Sequence, residues 1–74
     1  MGVPKQDYRT RFGRHIQALR EETGLSQEAL AAKAKLSRHY ISELESGKRN
    51  PSLDVLMRLA KGLKVTLAEL VGFE

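Results

Sequence analysis

The chain has 74 residues, and its 13 lysines and arginines against nine aspartates and glutamates give a formal net charge of +4. This length supports one small domain over residues 1–74, without a second, catalytic domain. The absence of cysteine excludes disulfides, the two histidines form no metal-binding cluster, and no apolar stretch suits a signal peptide or a membrane span, so we expect a cytoplasmic protein.

The first predicted helix follows Asp7. Its apolar residues recur at spacings of four and three, which places on one helical face Phe12, Ile16 and Leu19. Gly24 suits the left-handed position after a helix and is expected to end it. Residues 1–6, before this helix, are expected to form a flexible N-terminal arm.

Two short helices follow, and a serine marks the start of each. Ser26 is the predicted N-cap of the second helix and Ser37 that of the third, so the second helix is only about two turns long. The third helix is predicted from Arg38 to about Ser46, with Gly47 as its stop. The inward side chains of both helices are small or aliphatic: Leu30, Ala31, Ala34, Ile41 and Leu44.

The C-terminal part is predicted to form two further helices. Ser52 caps the fourth, Gly62 is expected to close it, and its predicted buried stripe is Leu53, Leu56, Leu59 and Ala60. Thr66 and Glu69 have the spacing of a capping box that opens a fifth helix. The apolar residues of this last segment are Leu67, Leu70, Val71 and Phe73. No strand pattern is present, so the predicted fold class is all-α.

The second and third helices have the spacing of a helix-turn-helix. Two short helices joined by so tight a turn pack at a steep angle, which presents the start of the second one to the DNA major groove. There Arg38 can bond the O6 and N7 atoms of guanine, with His39 and Glu43 as further base-facing residues. The predicted phosphate contacts nearby are Ser37, Tyr40, Ser42, Lys48, Arg49 and Asn50. For the loop residues among them, plain solvated charge is the alternative.

Charge supports this assignment only through its distribution. Residues 1–20 and 47–64 are basic and residues 21–46 are acidic overall, so contact with DNA would draw much of its charge from the flanking segments. A carboxylate at the base-facing position of Glu43 is repelled by phosphate. It accepts from a cytosine N4 amino group, pairs with Arg38 or His39, or points away, and of these we favour restraint of Arg38.

The run LSQEALAAKAKLSRHYISELESGKRNPSLDVLMRLAKGLKVTLAEL resembles the phage repressor and Cro family of helix-turn-helix domains. The resemblance implies a five-helix lambda-repressor-like DNA-binding domain, with the helix-turn-helix at helices 2 and 3. It also implies that Gln27 contacts a phosphate or buttresses the recognition helix, and that Arg20 and Glu45 form a structural ion pair. Family members usually have glycine where this chain has Lys35, and a lysine with positive φ costs on the order of 1 kcal/mol.

The function implied by this resemblance is transcriptional regulation from a palindromic or near-palindromic operator. One recognition helix reads only a few base pairs, so we expect a homodimer whose two helices meet successive major grooves. The predicted dimer interface is Leu67, Val71 and Phe73, unless these residues only complete the core. Proteins of this kind resemble restriction-modification controller proteins, which we favour, and small prophage or antitoxin-type repressors.

The expected partners are double-stranded DNA, a second copy of the chain and RNA polymerase. Candidates for an acidic patch that contacts polymerase are Glu21, Glu22, Glu45 and Asp54. We expect no enzyme activity, metal, cofactor or small-molecule ligand, because the sequence has no metal-ligand spacing, phosphate-binding glycine loop or paired acid and base. The rival interpretation is a protein-binding helical module whose basic residues are merely solvated.

Overall fold

The computed structural model describes residues 5–73, with side chains described from Tyr8 onward, and over this range it contains five α-helices and no strand. They are α1 (Lys5–Glu22), α2 (Gln27–Ala34), α3 (Arg38–Glu45), α4 (Leu53–Leu63) and α5 (Leu67–Val71). The all-α prediction, with the helix-turn-helix at α2 and α3, is confirmed. Within the same range, no helix combines the length and apolarity needed to cross a bilayer.

Hydroxyl side chains start the last four helices. Each accepts a hydrogen bond from the backbone N–H three residues further on, and they are Ser26, Ser37, Ser52 and Thr66. Such caps satisfy one of the N–H groups that the first helical turn leaves without a partner. The backbone N–H of Thr66 in turn donates to the carboxylate of Glu69, which completes the predicted capping box. These four helix starts are confirmed.

The start of α1 differs from the prediction. The helix begins at Lys5 rather than after Asp7, so Lys5 and Gln6 are helical although the arm was expected over 1–6. Residues 1–4 lie outside the described residues. Lysine and glutamine have high helix propensity, so a helix can continue N-terminally past the apolar positions from which it was predicted.

The end of α4 also differs, because the helix continues through Gly62 to Leu63. An added Cβ at Gly62 would lie 3.3 Å from Cδ1 of Leu30, so this glycine permits close packing of α4 on α2. The cap is Lys64 instead, in the left-handed conformation with φ of 58°. Leucine at position 53 was predicted to be buried, but Leu53 is 65% exposed, because the fully buried residues of α4 begin only at Leu59.

A single hydrophobic core joins the five helices. Its fully buried large side chains are Ile16, Leu30, Ile41, Leu44, Leu59, Leu63 and Leu70. The second helix is central, since α2 packs on both α3 and α4, while α1 contacts α3 and α5 closes against α4 and α1. Most of the polar N-terminal part of α3 therefore stays outside the core.

The turn between α2 and α3 is left-handed at Lys35, with φ of 58°. The N–H of Leu36 donates to the carbonyl of Ala31 at 2.8 Å, a bond of the kind that closes a helix end when the next residue is left-handed. From α4, Nη1 of Arg58 donates to the carbonyl of Lys35 at 3.2 Å. The turn thus keeps the geometry that glycine usually provides, although its residue is a lysine.

Close contact between α1 and the end of α3 depends on Gly13. A Cβ at this position would lie 2.5 Å from the carbonyl oxygens of both Leu44 and Glu45, which is far inside a normal contact. No role was predicted for this glycine from the sequence. Its only sequence signal is that a helix-weakening residue stands inside an amphipathic pattern, which is a common sign of close backbone approach.

Candidate nucleic-acid interface

The third helix divides into a buried side and an outer side. Ile41, Leu44 and Glu45 are buried, whereas the outer side chains are exposed or half-buried: Arg38, His39, Tyr40, Ser42 and Glu43. Because Ser37 caps the helix, the base-facing residues predicted from the sequence stand in its first two turns. The structure therefore brings Arg38, His39 and Glu43 to one surface.

Arg38 approaches Gln27 across the helix-turn-helix. Its Nη1 atom lies 3.5 Å from Oε1 of Gln27, and Nε2 of Gln27 donates to Oε1 of Glu45 at 2.9 Å. The amide nitrogen is thus directed towards the buried carboxylate, and the amide oxygen towards the guanidinium. Of the two roles implied for Gln27, this contact set corresponds to buttressing the recognition helix.

A buried ion pair anchors this arrangement. Nε of Arg20 donates to Oε2 of Glu45 at 2.6 Å, Nη2 donates to Oε1 at 3.1 Å, and Nη1 donates to the carbonyl of Leu25 at 2.8 Å. The hydrogen bond to Glu45 raises the pKa of the Arg20 guanidinium, and burial opposes this in part. Arg20 consequently ties α1, the start of α2 and the end of α3 together beneath the outer face.

Glu43 does not restrain Arg38, and the interpretation favoured from the sequence is wrong on this point. Oε1 of Glu43 accepts from Nε of Arg49 at 2.9 Å, and Oε2 lies 3.2 Å from Nε2 of His39. Gln27 is the side chain beside Arg38 instead. The reason is reach, since the loop after α3 brings Arg49 back towards the carboxylate, a contact that helical spacing does not predict.

The loop after α3 carries the other predicted phosphate contacts. Lys48 and Asn50 are exposed, but Arg49 is paired with Glu43 and its guanidinium lies over the ring of Tyr40, 5.0 Å from the centroid. Burial raises the pKa of the Tyr40 hydroxyl, which the positive charge of Arg49 partly offsets. Ser37 uses its hydroxyl to cap α3, and Ser42 is half-buried.

The three residues predicted for a dimer interface differ in their exposure. Val71 is 43% exposed, but Leu67 and Phe73 are half-buried against the core. The ring of Phe73 lies 5.5 Å from that of Phe12, and Nε2 of His15 is 2.8 Å from the carbonyl of Glu69, so the C-terminal segment packs on α1. Sequence reasoning missed three other exposed large apolar side chains, which are Tyr8, Leu53 and Met57.

The acidic residues predicted as candidates for a polymerase contact also differ in burial and in pairing. Glu45 is buried in its ion pair, and Oδ2 of Asp54 is bound by Nη2 of Arg58 at 2.7 Å. Glu21 and Glu22 are exposed at the end of α1. Among residues 5–73, no group of three or more potential metal ligands lies together.

Comparison with known proteins agrees with this geometry. The sequence profile of the helix-turn-helix family matches residues 16–70. Control protein C.MunI of a Mycoplasma species is 49% identical over 65 residues, which are 86% of this chain and 88% of that protein. The crystal structure of the restriction-modification controller C.AhdI from Aeromonas hydrophila superposes with a TM-score of 0.85 at 39% identity, covering 86% of this chain and 97% of that one.

A second solved controller gives a similar result. The restriction-modification controller C.Esp1396I superposes with a TM-score of 0.73 at 38% identity, over 77% of this chain and 74% of that chain. The matched region includes α2, α3 and most of the supporting helices, since the family profile spans residues 16–70. This chain belongs to the helix-turn-helix family of DNA-binding transcription regulators.

Proposed function

We propose that this chain is a regulator of the restriction-modification controller type, which acts in the cytoplasm and binds a palindromic or near-palindromic operator as a homodimer. The observation that supports this most directly is the outer face of α3, where Arg38 is exposed beside Gln27. An arginine held at this place can present two N–H groups to the O6 and N7 atoms of guanine. The relatives named as control proteins support the biological role.

The neighbouring side chains support separate roles in contacting DNA bases and the DNA phosphate backbone. Solved variants of C.Esp1396I replace an arginine or the tyrosine two positions after it. In this chain Arg38 and Tyr40 have that spacing. We propose Arg38 as a base-reading residue, with Tyr40, Lys48 and Asn50 on the phosphate backbone.

Dimerisation is proposed through the exposed apolar side chains of α4 and α5. Val71 was expected there, and we add Leu53 and Met57, which lie one helical turn apart on α4 and are more than half exposed at 65% and 52%. Large apolar side chains clustered on an exposed face are typical of a contact surface. A dimer that reads successive major grooves needs its two recognition helices about 34 Å apart.

Contact with RNA polymerase at the operator is proposed through Glu21 and Glu22. Both are exposed at the end of α1, whereas Glu45 is buried and Asp54, although exposed, is paired with Arg58. Replacement of both by glutamine should change operator affinity little compared with its effect on transcription from the adjacent promoter. A parallel loss of operator binding would contradict the proposal.

Binding-site selection from random DNA tests the central function. The expected product is one enriched sequence with two-fold symmetry, whose half-site centres lie about one helical turn apart. Arg38→Ala should weaken binding to that site far more than to random DNA, whereas the control Lys48→Ala should weaken both alike. Failure to enrich any sequence, with salt-insensitive retention, would favour a protein-binding module instead.

Sedimentation equilibrium tests the homodimer. The wild-type chain is expected to be dimeric at tens of micromolar, and Met57→Asp should shift it to monomer. Ala18→Asp, at an exposed position on α1 outside the proposed surface, is the matched control and should remain dimeric. A monomeric wild-type chain at this concentration would contradict the proposed assembly.

A further inference from the structure

Glu43 is a carboxylate fixed from two directions in the middle of the outer face of α3. Oε1 lies 2.9 Å from both Nε and Nη2 of Arg49, and Oε2 lies 3.2 Å from Nε2 of His39. The side chain remains 28% exposed. A glutamate of this kind keeps few rotamers, so the direction of its free lone pairs is set before DNA arrives.

Arg49 is itself held in place. Its guanidinium lies 5.0 Å from the ring centroid of Tyr40, where a cation is attracted to the ring face. Two of its nitrogens are directed at Glu43, which limits what it can offer to a phosphate. Its positive charge also offsets the negative charge of Glu43, which phosphate would otherwise repel.

The chemistry of the base edges selects the group that Glu43 can meet. A carboxylate only accepts hydrogen bonds, and two nitrogens of Arg49 lie on Oε1, whereas Oε2 has the single nitrogen of His39 beside it and keeps a lone pair that can accept a further bond. In the major groove the donors are the N4 amino group of cytosine and the N6 amino group of adenine. Adenine presents the acceptor N7 beside its donor, which repels a carboxylate, whereas cytosine N4 is the usual partner of glutamate.

We infer that Glu43 is a specificity-determining residue that accepts from the N4 amino group of a cytosine, and that Arg49 is the positioning residue for its carboxylate. This inference rests on the proposed function, because it concerns the same face of α3. It assigns Arg49 a different role from the phosphate contact expected from the sequence. A phosphate contact strengthens binding to every sequence, whereas a positioning residue changes the preference at one base pair.

The test uses the selected operator and a set of variants in which each base pair of the half-site is replaced in turn. The wild-type chain should prefer cytosine at one position per half-site by on the order of tenfold. Glu43→Gln should move that preference towards adenine, because an amide can both accept from N6 and donate to N7. It should also bind random DNA more tightly, since one negative charge is removed.

Arg49→Lys separates positioning from charge. Lysine keeps the positive charge but lacks the planar fork that grips a carboxylate at two nitrogens. The variant should lose the cytosine preference at the same position while the salt dependence of binding stays close to that of the wild type. Lys48→Ala, in the same loop, is the matched control and should weaken binding to all sequences evenly.

Two results would overturn the inference without touching the proposed function. One is a wild-type base preference in both Glu43→Gln and Arg49→Lys while Arg38→Ala abolishes specificity. The other is an even loss over all sequences in Arg49→Lys. A wild-type chain that selects no sequence would instead remove the proposed function itself. Thermal unfolding by circular dichroism, expected to match the wild type, verifies that the variants are folded.

Discussion

Replacement of Arg20 by methionine should remove a large part of the stability of this domain. Arg20 and Glu45 are only 9% and 7% exposed, and Arg20 donates to both oxygens of Glu45 at 2.6 and 3.1 Å. In the Arg20→Met variant the buried carboxylate keeps the bond from Gln27 as its remaining side-chain partner among the described contacts. Breaking one side of a buried pair typically costs about 3–5 kcal/mol, because the other charge is left without compensation.

This cost is large compared with the total. At about 0.05–0.15 kcal/mol per residue, a chain of 74 residues has a free energy of unfolding of about 4–11 kcal/mol. Urea unfolding followed by far-UV circular dichroism should therefore show a greatly lowered midpoint for Arg20→Met. Glu22→Gln, at an exposed position of the same helix, is the control and should change the free energy by less than about 0.5 kcal/mol.

A double replacement separates the loss of the ion pair from the cost of a buried charge that has no partner. Arg20→Met with Glu45→Leu removes both charges and fills the space with apolar atoms, so most of the lost stability should return. Specific DNA affinity should remain reduced, because Gln27 has lost the carboxylate that directs its amide towards Arg38. A loss of less than about 1 kcal/mol in the single variant, or a double variant that is no more stable than the single one, would contradict this role of the ion pair.

Three further outcomes are expected. Lys35→Gly relieves a left-handed residue with φ of 58°, so urea titration should show a free energy of unfolding about 1 kcal/mol higher, and a decrease would mean that the lysine side chain is needed in the turn. Gly13→Ala would place a Cβ 2.5 Å from two carbonyl oxygens of α3, and calorimetry should show it less stable by about 1–3 kcal/mol, whereas wild-type stability would mean that α1 moves freely. The bonds from the backbone and side chain of Thr66 lower the folded-state pKa of Glu69 below its usual range. The ionised Glu69 therefore stabilises the fold above the unfolded pKa of about 4.3, and this stabilisation is lost as the pH falls through the folded pKa. Thermal melts of Glu69→Gln should show a smaller loss of stability on acidification than those of the wild type. Identical pH profiles of the two proteins would exclude this contribution.

Much of the fold follows from short-range patterns. A serine or threonine that caps a helix bonds an N–H only three residues away, so Ser26, Ser37, Ser52 and Thr66 mark helix starts without any tertiary information. The apolar spacing of Ile41 and Leu44 likewise indicates which side of α3 is buried, and it leaves Arg38 and His39 on the other side. Glycine with positive φ ends a helix locally, as Gly24 and Gly47 do at φ of 74° and 82°.

Contacts between distant segments were decided only by the tertiary structure. Gln27 stands between Glu45 and Arg38, which are 18 and 11 residues away, and Phe73 lies on Phe12 rather than on an open surface. Glycine in a helix looks the same in the sequence whether it ends the helix or admits a neighbour, so the close approach at Gly62 was visible only in the packed helices.

Glu43 shows most clearly what could not be predicted from the sequence alone. Its place on the recognition helix follows from helical periodicity, and so does its distance of one turn from His39. Its principal partner, Arg49, lies beyond the end of the helix, and the path of that loop depends on how α3 and α4 pack on α2. The sequence by itself determined which side chains face outward, and the three-dimensional packing decided which of them meet, because side-chain pairing depends on distances that chain spacing does not set.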